Sequence, residues 1–147
     1  MTSARAHATL RGMNAQDARV IEQFRAGGEV EGMHRDRLLL LTTTGRRTGE
    51  PRTTPMMRLH VRGMSYVVAS ANAAADDPEW LRDLEADPHA HVEEVDREYD
   101  ATARVLRGSA RSAAWSAIVE QAPFFAEDQD RVQREIPVVE LINRTAT

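Results

Sequence analysis

The sequence predicts an α+β fold, a small and mostly antiparallel β-barrel of about six strands with three or four helices at its periphery. Three observations lead there. Short apolar or alternating segments recur between glycine and proline turns. They follow one another in hairpin order, with no regular helical crossover between strands. Helical periodicity is confined to a few stretches among them.

The elements can be justified in order. Residues 1–13 are polar and alanine-rich and are expected to form a mobile N-terminus ahead of a single domain over 14–147. Asn14 suits a helix N-cap, Ala18, Ile21 and Phe24 recur at helical spacing, and Gly27-Gly28 ends the helix. The segment from Gly27 to Asp36 has no period and reads as a loop or lid. Arg37–Thr44 is apolar on both faces, as a central strand should be. Pro51–Pro55 re-enters strand, and Pro55–Val61 sets Leu59 and Val61 against Arg58 and His60. Met64–Ser70 is the next strand. Asp77 is expected to cap a short helix with Pro78 at its first position. Strands near His89–Val95 and Glu98–Leu106 form a hairpin about Asp96-Arg97. Ser109 is expected to cap a helix that runs toward Gln121 and is closed by Pro123, and Pro137–Ile142 is the last strand.

Composition narrows the function classes. With 147 residues, one domain can bury its core without staples. There is no cysteine, hence no disulfide, thiolate metal site or cysteine nucleophile. No segment approaches the roughly 20 apolar residues of a membrane span and no signal-peptide pattern opens the chain, so a cytoplasmic protein is expected, at most peripheral to a membrane. A net charge of −4 speaks against nucleic-acid binding. The charge is uneven, however. Residues 42–62 carry arginines 46, 47, 52, 58 and 62 against the single acid Glu50, whereas 76–100 hold eleven acids against Arg82 and Arg97. Lysine is absent, so every long cation is a guanidinium and Schiff-base chemistry is excluded.

The segment Leu38–Pro55 concentrates the chemistry. Gly45 and Gly49 hinge a tight turn around Arg46 and Arg47, and Arg52 follows. Guanidinium forks match phosphate oxygens in a bidentate way. Two readings stand: a solvated turn whose arginines pair with the acidic helix around Asp83 and Glu85, or a phosphate site. A P-loop and a dinucleotide fingerprint are excluded by spacing. His89 and His91 share a face but lack a third ligand, so no metal is expected. His60 reads as solvated, Tyr66 as strand packing, and the acids of 76–100 as a solvated face. Gly-x-Ser-x-Gly is missing. With no acid, base or nucleophile assembled, a cofactor must carry any chemistry while the protein orients it.

Leu-Thr-Thr-Thr-Gly-Arg-Arg-Thr-Gly-Glu-Pro-Arg-Thr-Thr-Pro (41–55), Val68-Ala69-Ser70, the block from Asp77 to Pro88 and Arg134-Glu135-Ile136-Pro137-Val138-Val139 occur in that order. Together, over about residues 14–142, they resemble the deazaflavin-dependent nitroreductase and F420H2-dependent quinone reductase family of split β-barrels. The resemblance implies reduced coenzyme F420 as hydride donor to a flat, electron-poor acceptor such as a quinone, an activated enone or a nitro compound. It implies that Arg46, Arg47 and Arg52 grip the phosphate and that Thr53, Pro55 and Met57 line the ring. Ser70 would face the reactive side as the catalytic position, Asn72 and Ala73 would lie near the phosphate, and Trp80 and Asp83 would brace the wall. There are departures. Many relatives read Ser-Lys-Gly-Gly where this chain has Ser70-Ala71-Asn72-Ala73. Tyrosines three apart in nitroimidazole-reducing members match Ala122, Phe125 and Asp128 here, and Met57 stands where an aromatic often lies. Nitroimidazole activation is therefore not expected. The alternatives are an FMN-binding split barrel, with Arg46 and Arg52 on the ribityl phosphate, and a non-catalytic module that holds F420 or a lipid-like ligand. The partners expected are a small-molecule acceptor and, at most, a second copy in a homodimer.

Overall fold

The computed structural model describes residues 15–30 and 34–144, the Asn72 side chain excepted. The order is α1 (Ala15–Ala26), β1 (Leu38–Thr44), β2 (Pro51–Met57), β3 (Leu59–Val61), β4 (Met64–Val68), α2 (Glu79–Ala86), β5 (His89–Glu93), β6 (Glu98–Val105), α3 (Gly108–Gln121), α4 (Phe124–Asp130) and β7 (Val138–Asn143), with 3-10 turns at Arg35–Arg37 and Ala71–Ala73. The seven strands form one antiparallel sheet in the order β2-β1-β5-β6-β7-β4-β3. Its two edge strands, β2 and β3, are separated in sequence by Arg58 alone, so the sheet has to curl round on itself. The result is the expected split-barrel shape.

Burial explains the curl. Leu38, Leu39, Leu40 and Leu41 are all 0% exposed. Leu39 and Leu41 face the inside of the curl, against Val67, Val92, Val139 and the α2 residues Trp80, Leu81 and Leu84. Leu38 and Leu40 face the other way, against Val20, Ile21 and Phe24 of α1. Burying a leucine is worth about 1.5–3 kcal/mol, so β1 alone ties both layers to the sheet. A third cluster joins Leu59, Tyr66 and Val138 to Ala114 and Ile118 of α3 and Phe125 of α4.

The structure differs from expectation at five places. Seven strands replace six, because the segment expected as one strand over Pro55–Val61 changes partner at Arg58, from β1 on one side to β4 on the other. Asp77 does not cap α2; Pro78 takes the cap position and the Asp77 carboxylate instead accepts a hydrogen bond from Arg134 Nη1 at 2.8 Å. Arg107, not Ser109, stands at the N-cap of α3, which begins at Gly108 in a left-handed conformation. Helix α4 follows Pro123 without a periodic signal long enough to announce it. Finally, two of the acids assigned to a solvated face are buried. The side chains of Asp83 and Glu94 are 0% exposed, and His60 is no free surface ring, since its Nε2 lies 3.3 Å from Glu94. Distant guanidiniums make this possible, because a buried carboxylate is tolerated once paired. The expected cap Asn14 and the expected mobile N-terminus over 1–13 lie outside the described residues.

Candidate active site

The β1–β2 turn is built as its glycines suggest. Gly45 N donates to Glu50 O at 2.7 Å and Gly49 N to Gly45 O at 2.8 Å, with Gly49 at φ +74°. A β-carbon on Gly45 would sit 3.1 Å from both Glu50 O and Thr48 Oγ1, so a side chain there requires the turn to open by a few tenths of an ångström. Asp83, reaching across from α2, organises the arginines. Its Oδ1 accepts from Arg46 N and Arg46 Nη1, both at 3.1 Å, and its Oδ2 accepts from Arg52 Nε at 2.8 Å and Thr43 Oγ1 at 3.4 Å. Arg46 Nη2 also meets Glu79 at 3.1 Å. The pairing of this turn with α2 is therefore real, although Glu85 takes no part and faces Arg107 at 3.8 Å. The pairing is also incomplete. Arg52 engages Asp83 through Nε alone and is 30% exposed, and Arg47 is exposed with no ion pair among the described residues.

A cavity of about 810 Å³ draws its lining in part from the same two elements, with Thr54 on β2 and Trp80 on α2. It is lined by Pro55, Met56 and Met57 of β2, by Val68, Ser70 and Ala71, by Trp80 of α2, by Phe124, Phe125 and Asp128 of α4, and by Gln16, Asp17 and Val20 of α1, together with His34 and Arg37. Burial pushes the Asp17 carboxyl above its usual range. Of the expected ring-side residues, Pro55, Met57, Ser70 and Trp80 line this cavity. Thr53 does not: it is buried, with its hydroxyl 2.8 Å from that of Thr42. Arg46, Arg47, Arg52 and Asp83 form the separate turn cluster. Arg52 stands three residues from Pro55 on the same strand, about 10 Å at the strand rise. Asn72 and Ala73 lie in the turn after β4, where Ser70 is right-handed (φ −74°, ψ −32°) while Ala71 and Ala73 are left-handed at φ +49° and +61°. A right-handed residue followed by a left-handed one turns successive N–H groups to one side, a shape that accepts anions.

The walls supplied by α1 and α4 escaped the sequence reading. Phe124 and Asp128 are four apart and share a helical face, which would have pointed to the cavity had α4 been recognised. Of the positions matching the family tyrosines, Phe125 and Asp128 reach the cavity, whereas Ala122 is buried in the packing between α3 and β3.

A family model for F420H(2)-dependent quinone reductase matches residues 14–143. The chain belongs to that family. It is an oxidoreductase of the F420H2-dependent quinone reductases, with reduced coenzyme F420 as hydride source. An F420H2-dependent quinone reductase of Mycobacterium tuberculosis is 31% identical over 109 residues, covering 72% of this chain and 73% of the relative. A solved F420H2-dependent reductase is 35% identical with a TM-score of 0.66, covering 75% of this chain and 99% of its own. A second solved structure, described as a domain-swapped dimer, is 34% identical with a TM-score of 0.68, covering 82% of this chain and 92% of its own. The residues present fit the cofactor. A cavity walled by proline, methionine and aromatic side chains suits a flat ring, and the guanidinium N–H groups left over by Asp83 suit its phosphate. No helix among the described residues is long and apolar enough to cross a membrane.

Proposed function

We propose that this F420H2-dependent quinone reductase holds the deazaflavin ring between β2, the Ser70 turn and Trp80, with the cofactor's phosphate on the arginine turn. When bound, the reduced deazaflavin supplies a hydride. In this reading Pro55 and Met57 form the floor under the ring, and Ser70 faces its reactive side. Arg47 and Arg52 grip the phosphate with the N–H groups that Asp83 leaves free, and Arg46, held on two carboxylates, shapes the turn. Asn72 and Ala73, in the neighbouring turn, lie near the same anion. Phe124 and Phe125, whose ring centroids lie 4.5 Å apart, receive the flat quinone from the side opposite β2 and keep water from the transfer path. The supporting observation is that β2 and α2 each carry both a cavity wall (Pro55 and Met57; Trp80) and a member of the cluster with unspent guanidinium donors (Arg52; Asp83). Charge-assisted hydrogen bonds contribute about 1.5–3 kcal/mol each. Two arginines with unspent donors thus supply a large part of the roughly 8 kcal/mol that micromolar affinity requires.

A fluorescence titration of the purified protein with F420 beside FMN tests this. Saturable F420 binding in the low micromolar range, with FMN much weaker, and quinone-dependent oxidation of F420H2 are the expected results. Preferential FMN binding, or no F420 binding, overturns the site. The assembly is proposed as a homodimer on the example of the domain-swapped relative, and light scattering that gives a monomer mass removes that part. A cytoplasmic location belongs to the same proposal.

A further inference from the structure

We infer that Arg134 is a positioning residue of the active site, holding the left-handed turn that forms the Ser70 wall of the cavity; the inference rests on the site reading above. The Arg134 guanidinium spends three nitrogens on four acceptors. Nε donates to Ala74 O at 3.1 Å, Nη2 to Ser70 O at 3.0 Å, and Nη1 to Ala69 O at 3.1 Å and to the Asp77 carboxylate at 2.8 Å. It therefore grips the turn at both ends, before Ala71 and after Ala73. Those two alanines adopt positive φ, a conformation that L-residues other than glycine, asparagine and aspartate seldom take. Such conformations persist only where the surroundings over-determine them. Among the described atoms, the backbone bonds inside the turn are Ala73 N to Ser70 O and Ala74 N to Ala71 O, and Ala69 N to Pro137 O anchors its entry, so the grip that spans both ends comes from Arg134. The fork geometry is needed as well as the charge, because a lysine ammonium on the same stem is a point donor that cannot reach both ends.

Arg134 is itself framed. Gln129 Nε2 donates to Arg134 O at 2.7 Å, and Gln129 Oε1 accepts from Ile136 N at 2.8 Å. The buried Arg111 donates to Ile136 O through Nη2 at 2.7 Å and Nε at 3.2 Å, with its guanidinium 4.5 Å over the Trp115 ring. Gln129 belongs to α4, the helix that carries Phe125 and Asp128 into the cavity. The same short segment thus fixes the distance between the Ser70 wall and the α4 wall, across which donor and acceptor must meet.

The test uses the full chain with Arg134→Met and Arg134→Lys, each alone and combined with Ala71→Gly and Ala73→Gly, since glycine adopts positive φ without steric cost. In cofactor-free protein, amides 70–74 should exchange with solvent faster in both single variants. Turnover of F420H2 with menadione, counted per folded molecule, should fall toward 100-fold in kcat, the order of loss a misplacement of about 1 Å can bring. F420 affinity, set at the arginine turn, should move much less. The glycine pair should recover part of kcat, which a merely structural role would not allow. Should Arg134→Met fail to fold, Arg134→Lys carries the same readouts. Unchanged exchange at 70–74 overturns the inference, and so does faster exchange with unchanged kcat. Absence of F420 binding to the unaltered protein overturns the site reading instead, and the exchange result then still decides whether Arg134 holds the turn.

Discussion

Asp83 and Glu94 are the same device placed at opposite ends of β1. Each is a carboxylate with a fully buried side chain that holds two arginines, both from far along the chain at Asp83 but one distant (Arg58) and one three residues on (Arg97) at Glu94. Asp83 meets the Thr43 end, while Glu94 lies just past the Leu40–Glu93 pairing, where Arg58 N bonds Arg37 O. What differs is the remainder. Around Glu94, Arg58 also donates to Asp36 O at 3.0 Å, Arg97 lies over the Tyr99 ring at 4.7 Å, and Tyr99 OH donates to Glu94 at 3.2 Å. That network closes on itself at the corner where β2 becomes β3. Around Asp83, Arg52 keeps two terminal nitrogens and Arg47 its whole fork. A buried carboxylate between arginines is thus a fastener or a scaffold for anion capture, and the donors it leaves unspent decide which.

The sharpest way to break the comparison is to remove each carboxylate. Asp83→Ala and Glu94→Ala should each cost about 1–3 kcal/mol in urea unfolding, because each leaves part-buried guanidinium and hydroxyl donors without their acceptor. Only Asp83→Ala should weaken F420 binding per folded molecule; an equal loss in Glu94→Ala would erase the distinction. Next in size is Arg52→Met, expected to lower F420 affinity by about 2 kcal/mol, roughly 30-fold, whereas Arg58→Met lowers the melting temperature and leaves F420 affinity alone. Arg47→Ala should do the reverse of Arg58→Met, with an unchanged melting point and a weaker, less salt-sensitive F420 complex. The smallest effect concerns His91, at a third place. Burial alone would lower its pKa, but hydrogen bonds to Asp100 at 2.8 Å and Glu98 at 2.7 Å outweigh it, and the net shift is upward. A raised pKa stabilises the fold fully below the unfolded value of about 6.5, and the contribution disappears as pH rises through the folded value. The half-exposed site makes it slight. His91→Gln should flatten the melting temperature between pH 6 and 8, and an unaltered profile would discard the assignment.

What the sequence could show was what local pattern encodes. The apolar run Leu38–Leu41 predicts a strand buried on both faces, and Gly45 and Gly49 predict the turn at its end. The burial of Asp83 was hidden because its partners Arg46 and Arg52 lie 37 and 31 residues away, and an acid in a charged helix looks solvated until the fold delivers its counter-ions. Glu94 and His60 escaped for the same reason, at a separation of 34. The motif blocks located Pro55, Met57, Ser70 and Trp80 because those residues sit on or beside them. They could not locate α1 and α4 as the remaining walls, since a wall made by helices distant in sequence has no local signature.

The place of β7 has a consequence for how the protein is made. This strand, the last in sequence among the described residues, lies between β6 and β4, so it alone joins β2-β1-β5-β6 to β4-β3. A nascent chain that has released everything up to α4 still carries two half-sheets with raw edges at β6 and β4. Their union waits until residues 138–143 clear the ribosome. The barrel is therefore completed only once that strand has emerged, and the interval before it is when unpaired strands are most open to neighbouring chains.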